Sequence, residues 1–441
     1  MRGLYTLLWW LALPALPLRL WWRGRREPGY REFRAERFGR YGRLRVAADN
    51  PLWIHAVSLG ETRAAAPLIE RLLREMPSRA IVLTHMTATG REAGRALFGD
   101  RVMQAWLPYD IPFAVRSFFA HFRPSAGLLV ETELWPNLAR EATRRHVPLL
   151  LVNARLSERS ARGYRSVQSL SRPLFAALAG VAAQSDADAA RLRELGARNV
   201  VVTGNIKFDV VISDAQHERA QLLRERFGTD RRVFILASTR DGEESLLLDA
   251  LLRARSSLPA RTLVVLVPRH PQRFDTVAEL LDARAIRYAR RSAEATVSEA
   301  TSLVLGDSIG EMLAYYLAAD VAFVGGSLLP LGGQNLIEPI AAGVPTLIGP
   351  HTFNFAEASE AAVAAGAALR VADADDVFAV GGRLLDDPVA RETVQQCART
   401  FMATHRGATE RLWGWLQPCI AGDSRRNHTT PAPGATREGA G

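Results

Sequence analysis

The chain is organised by one pattern: short apolar runs, four to six residues long, separated by helix-length segments. Such runs fall at 52–57, 80–83, 127–130, 148–152 and 199–202, and again at 233–237, 262–267, 302–305, 321–324 and 345–348. Between the first two, Ala65, Leu68/Ile69, Leu72/Leu73 and Met76 recur at helical spacing. Short continuous strands alternating with helices require parallel sheets covered on both faces. Two sets, joined around 204–216, predict two doubly wound α/β domains facing a cleft. At 441 residues the chain is also too long for one compact core. The expected division is 1–45 as an anchor with a basic flank, 46–207 and 208–420 as the two Rossmann-like domains, and 421–441 as a disordered polar tail.

Composition removes several function classes. Cys397 and Cys419 are the only cysteines, which excludes a disulfide scaffold and a multi-cysteine zinc site. The nine histidines lack HExxH spacing, so a metalloenzyme is disfavoured and no metal or cofactor is expected. The net charge of +10 is concentrated between Arg19 and Arg45, where ten arginines face three glutamates. No basic helix interleaved with exposed aromatics follows, so nucleic acid is not the expected partner. Of 56 basic residues only Lys207 is lysine. A retained lysine marks a place where a compact point charge serves and a guanidinium fork does not.

The N-terminus carries an apolar segment, 4–18, with Trp9, Trp10, Trp21 and Trp22 around its ends and arginines behind it. It is short of the ~20 residues that cross a bilayer. Tryptophans at the headgroup level and arginines on the cytoplasmic side fit an uncleaved anchor, either a short span or a helix lying in the interface. No small-residue cleavage site follows. The competing reading is a core helix docked on the first domain.

In open parallel sheets ligands bind beyond the carboxyl ends of the strands. Glu61 lies there in Ser58-Leu59-Gly60-Glu61-Thr62, either as a general base or as a carboxylate complementing a helix dipole. Gly60 suggests a tight strand-to-helix turn, with Pro67 in the first turn of the next helix. A later strand ends in Glu131-Thr132-Glu133-Leu134-Trp135-Pro136-Asn137, and side-chain alternation in an extended segment would point both glutamates one way. Asn153 through Ser160 is a polar strand end whose cations, Arg155 and Arg159, are able to receive an anionic substrate, and Lys207 lies at the junction between domains. In the second half, Pro268-Arg269 presents a cation after a strand. Ser308 and Glu311 have capping-box spacing. Gly325-Gly326-Ser327 and Gly332-Gly333-Gln334-Asn335 precede a helix whose N-terminus suits a phosphate. No GxxxxGK[ST] is present, so a P-loop is excluded.

Two such halves describe a GT-B glycosyltransferase, and a closer likeness follows. The strings Trp53-Ile54-His55 through Glu61, Glu131 through Asn137, Asn153 through Ser157, Lys207-Phe208-Asp209, Pro268 through Pro271, Gly332 through Pro339 and Gly349 through Phe355 occur in order. In them the chain resembles the bacterial Kdo transferases, which move 3-deoxy-D-manno-octulosonic acid from CMP-Kdo onto lipid A precursor. The resemblance implies Glu61 as general base, and Glu131 and Lys207 as stabilisers of the transition state. It implies CMP binding by Pro268, Arg269, Ile309, Gly310, Glu311, Asn335, Leu336, Ile337 and Glu338. It further implies an inverting, metal-independent reaction at the cytoplasmic face of the inner membrane. Gln334 and Arg240 stand where the family usually has histidine. A UDP-sugar-dependent lipid glycosyltransferase, a sugar-nucleotide epimerase of the same fold and a non-catalytic membrane-anchored nucleotide-binding module are the alternatives.

Overall fold

A computed structural model describes residues 2–42, 44, 50–293 and 297–421. The chain forms two compact units, one of 1–209 with the returning C-terminal segment from Gly407, the other of 210–406. Of the expected tail at 421–441, Ala421 ends the last helix and 422–441 lies outside the described residues.

The first unit opens with helices α1 (Arg2–Ala12) and α2 (Ala15–Arg26), bent by 58° at Leu13-Pro14. The bend has a local cause: Pro14 has no N–H to donate and biases Leu13 away from helix. The single anchor helix of the sequence reading is therefore two. Beyond them lie α3 (Leu59–Glu75), α4 (Ala88–Phe98), α5 (Pro112–Phe122) and α6 (Pro136–Arg144). The sheet comprises β1 (Leu52–His55), β2 (Ile81–His85), β3 (Met103–Trp106), β4 (Ala126–Val130), β5 (Leu149–Ala154), β6 (Gly180–Ala183) and β7 (Val200–Val202). Its order is β3-β2-β1-β4-β5-β6-β7, all parallel. The order reverses between β1 and β4, and that topological switch point is where an open α/β sheet leaves room for ligand.

Apolar side chains cover both faces. One face includes Trp53, Phe118, Phe119 and Phe175. The other buries Leu68, Ile69 and Leu72 of α3 against Ala408, Leu412, Trp413 and Leu416 of the C-terminal helix Ala408–Ala421. The expected limit of the second domain at 420 is thus corrected. The last helix returns to the first unit because its apolar stripe completes that core, each buried leucine contributing about 1.5–3 kcal/mol. Asp209 fixes the crossover, its carboxylate accepting the N–H groups of Gly407 at 2.7 Å and Thr409 at 2.5 Å.

The second unit holds β8 (Arg232–Thr239), β9 (Thr262–Pro268), β10 (Tyr288–Arg290), β11 (Leu303–Leu305), β12 (Val321–Val324), β13 (Thr346–Ile348) and β14 (Ala368–Arg370). They form a second parallel sheet, ordered β10-β11-β9-β8-β12-β13-β14, with its switch point between β8 and β12.

Candidate active site

Glu61 owes its place to a helix cap. Ser58 is extended, so its Oγ accepts the Glu61 N–H at 3.4 Å while its hydroxyl donates to Glu61 Oε1 at 2.9 Å. The Val57 N–H donates to Oε2 at 2.7 Å. This is the reciprocal arrangement of a capping box, shifted by one residue. The loop beneath is clamped, since the Val57 carbonyl accepts the N–H groups of Met86 and Thr87 and the Thr87 hydroxyl. With α3 starting at Leu59, two expectations are corrected. Gly60 keeps an ordinary helical conformation, and Pro67 lies inside the helix instead of in its first turn.

Burial pushes the Glu61 carboxyl up to about 7, with the negative charge of Glu131 adding to it; the Val57 N–H and Ser58 pull it back, and Glu133 raises it further. A carboxylate at neutral pKa is suited to taking a proton at neutral pH.

Glu131 follows β4 across the switch point from Glu61. Its φ of +62° breaks the extended run, so strand alternation does not govern how it and Glu133 project, contrary to expectation. The Glu131 N–H still donates to the Val152 carbonyl at 3.0 Å, continuing the β4–β5 ladder. Its Oε1 lies 2.5 Å from Lys207 Nζ in a half-buried ion pair. Burial also raises the Glu133 carboxyl, with Glu131 adding to the shift. Lys207 sits in the 3₁₀ turn Ile206–Phe208, where Asn205 Oδ1 accepts its N–H and Asn153 Oδ1 accepts that of Ile206, at 3.0 and 3.1 Å. Asn153 is fully buried and shapes the lysine turn, while the cations of the same strand end, Arg155 and Arg159, are partly exposed and exposed. The structure therefore unites Glu61, Glu131 and Lys207.

In the second unit a residue passed over in the sequence stitches the switch point. Glu243, fully buried, accepts the N–H groups of Arg240 (3.0 Å), Gly326 (2.5 Å) and Leu328 (2.9 Å). It draws together the turns after β8 and β12. Gly333 and Gln334 then donate to the carbonyls of Gly326 and Gly325, and Gln334 Oε1 accepts from Arg269 Nε at 3.1 Å. Pro268, Arg269 and the 334–338 segment are thus neighbours. The helix after the glycines spans only Ile337–Ala341, with Leu336 as its N-cap residue. Asn335 Oδ1 accepts the Ile337 N–H while Asn335 Nδ2 donates to Glu338 Oε1. That occupied N–H and the helix's brevity leave it less to offer a phosphate than expected. The capping box at Ser308 is absent: its hydroxyl meets Tyr315 at 2.8 Å, and the helix Met312–Leu317 begins later. Ile309 is exposed, Gly310 has φ +83°, and Glu311 pairs with Arg291 at 3.1 Å. A cavity of about 920 Å³, lined by arginines of the 215–231 region with Arg261 and Arg291, shares only Glu311 with these segments. Among the described residues no group of three His, Cys, Asp or Glu side chains is placed to hold a metal ion.

Two doubly wound parallel-sheet units, each with its own switch point, make up the GT-B type of fold. A glycosyltransferase from Rickettsia africae has this fold, with a TM-score of 0.56 over 85% of this chain and 99% of its own, at 13% identity. Residues 33–210 match the family described as 3-Deoxy-D-manno-octulosonic-acid transferase (kdotransferase). The 3-deoxy-D-manno-octulosonic acid transferase of Bordetella pertussis is 47% identical over 430 residues, covering 94% of this chain and 99% of the relative. That of Haemophilus influenzae is 36% identical over 422 residues, covering 95% and 99%. The chain belongs to the 3-deoxy-D-manno-octulosonic acid transferase family.

Proposed function

We propose that this chain transfers Kdo from CMP-Kdo to a glucosamine hydroxyl of lipid A precursor (lipid IVA) in lipopolysaccharide biosynthesis. The observation that carries the reading is the Glu61 carboxyl, held by Val57 and Ser58, raised to about 7, and adjoining the Glu131–Lys207 pair. Glu61 takes the hydroxyl proton as the acceptor oxygen bonds to the anomeric carbon of Kdo. The bond from that carbon to the CMP phosphate breaks, CMP leaves with the electron pair, and the anomeric centre inverts. A positioned base contributes about 10²–10⁴-fold. Lys207, oriented by Glu131, offsets negative charge developing in the transition state. Arg269, aimed by Gln334, and the 335–338 segment are assigned to the cytidylate, with Ile309, Gly310 and Glu311 beside them.

The N-terminal pair supports a location on the cytoplasmic face of the inner membrane. Leu4, Leu7, Leu8, Trp10, Leu11, Leu18, Trp21 and Trp22 are exposed, and arginines 19 and 25 flank the last of them. Apolar side chains with tryptophans and cations at their border suit a helix lying in the interface.

Incubating purified protein with CMP-Kdo and lipid A precursor, with product mass as readout, tests the reading. One added Kdo mass or more is expected, insensitive to EDTA. Turnover with UDP-sugars instead would move the chain to another donor, and CMP binding without product would leave a binding module.

A further inference from the structure

Helix α1 has two faces of different character. Leu4, Leu7, Leu8 and Leu11 are exposed. After Arg2, its two polar residues other than tryptophan, Tyr5 and Thr6, are turned to the other side with Trp9, and that side meets the segment carrying the candidate acceptor-side carboxylates.

The contacts form a connected set. The Thr6 hydroxyl donates to Asn137 Oδ1 at 3.1 Å. Asn137 Nδ2 in turn donates to the Asp110 carbonyl at 2.7 Å. The Asp110 carboxylate accepts the N–H groups of Asn137 and Leu138 at 2.9 and 2.8 Å, capping α6 from a distant loop, and its charge acts on the neighbouring Tyr5 hydroxyl. Trp9 packs on Trp135 and Tyr109, with ring centroids 6.2 and 5.8 Å apart. Asp110 and Asn137 are both buried. Trp135 and Asn137 close the 131–137 segment, whose first residue is Glu131 and whose third is Glu133. Residues 131–136 are all partly exposed, so this segment lacks the burial that fixes the strand before it. A helix serving only to sit in lipid has no use for a hydrogen bond to a buried amide.

We propose that α1 is a positioning element for the 131–137 segment, acting through Tyr5, Thr6 and Trp9, so that seating at the membrane and alignment of Glu131 and Glu133 are one event. This rests on the transferase reading above. Its consequence is that α1 governs turnover even when the acceptor is not in a membrane.

The test uses the full chain in detergent, CMP-Kdo, and a deacylated, water-soluble form of the phosphorylated glucosamine disaccharide as acceptor. Tyr5→Phe with Thr6→Val removes two hydroxyl groups and leaves the exposed leucines untouched. The expected result is a fall of about tenfold or more in kcat/KM for the soluble acceptor, since displacements on the order of 1 Å cost about 10²-fold. KM for CMP-Kdo and binding to anionic vesicles stay within about twofold of wild type on the same argument that only acceptor alignment changes. In Tyr5→Phe with Thr6→Ser, which regains one hydroxyl, part of the rate returns. An unchanged rate on the soluble acceptor overturns the proposal. So does a loss accompanied by weaker CMP-Kdo binding, which marks general loss of structure. A wild-type chain inactive with CMP-Kdo strikes at the transferase reading itself, and an active wild type with indifferent variants strikes at α1 alone.

Discussion

Glu61 is pulled in two directions. As a cap it gains from ionisation, because Val57 and Ser58 donate to the carboxylate; as a buried group beside Glu131 it loses by it. The balance near 7 gives a signed expectation. As a base Glu61 must be deprotonated, so kcat/KM falls as pH drops through about 7. Glu131→Gln removes a negative neighbour and moves that limb to lower pH, whatever it does to the maximal rate. A limb that stays put in a pH–rate profile would disconnect Glu61 from the proton transfer. Stability follows the opposite sense. The folded-state pKa is raised, so the group's contribution is fully present below the unfolded value and is lost as pH rises through about 7. Glu61→Gln is therefore expected to abolish transfer, to leave CMP binding intact, and to raise stability at about pH 8 by on the order of 2–3 kcal/mol, a gain that shrinks towards about pH 4.5. Melting curves at the two pH values read it directly. Lys207→Arg keeps the charge, but a planar fork does not reproduce an ammonium 2.5 Å from Glu131 Oε1. A loss of about tenfold or more in kcat is expected, on the scale of a removed electrostatic stabiliser.

At the level of elements, the cap of α3 links stability to chemistry. Ser58→Ala costs about 1 kcal/mol of stability by losing the cap. It also withdraws a hydrogen bond that lowers the Glu61 carboxyl, so the acidic limb moves to higher pH, opposite to Glu131→Gln. Calorimetry and the pH profile together separate the two effects. Elements also divide by how visible they are in sequence. Strands β1, β4, β5, β8 and β9 are buried along almost their whole length and appear as apolar runs. Edge strands β3, β10 and β14 are short and half-covered, reading Met-Gln-Ala-Trp, Tyr-Ala-Arg and Ala-Leu-Arg, and leave no such run. Inner strand β6, Gly-Val-Ala-Ala, is hidden by its small residues. Pro67 suggested a helix start because the pattern favours proline there, yet Ser58 had already begun the helix. Glu61, Glu131 and Lys207 were legible since each follows a visible strand. Asp110 and Glu243 were not, because Asn137 and Leu138 for the one and Gly326 and Leu328 for the other lie far off in sequence and only tertiary folding brings them near.

Across the whole molecule, the basic N-terminal stretch is not one uniform belt. Arg37 is buried, its guanidinium 3.8 Å from the Trp106 ring and donating to the Met86 carbonyl. Glu36 pairs with Arg91 at 2.9 Å inside the first unit. These side chains hold structure and are not available to a lipid headgroup. Arg19, Arg25, Arg31, Arg34 and Arg40 are exposed, and the first two share α2 with Leu18, Trp21 and Trp22. Among the described residues no single helix is long and apolar enough to cross a bilayer, and the bent pair α1–α2 has that length only in combination. With the pair lying in the interface as proposed, binding would depend on two separable forces. Arg19→Gln with Arg25→Gln removes two charges worth about 1 kcal/mol each near an anionic surface, so affinity for anionic vesicles is expected to fall about thirtyfold. Affinity for zwitterionic vesicles should change little, because the leucine and tryptophan face is intact. Raising salt shortens the screening length to about 3 Å at 1 M and should bring the wild type down towards the variant. Equal loss on both lipid types would instead mean that the substitutions disturb α2 itself, and salt-independent binding would mean that apolar insertion alone holds the chain at the membrane.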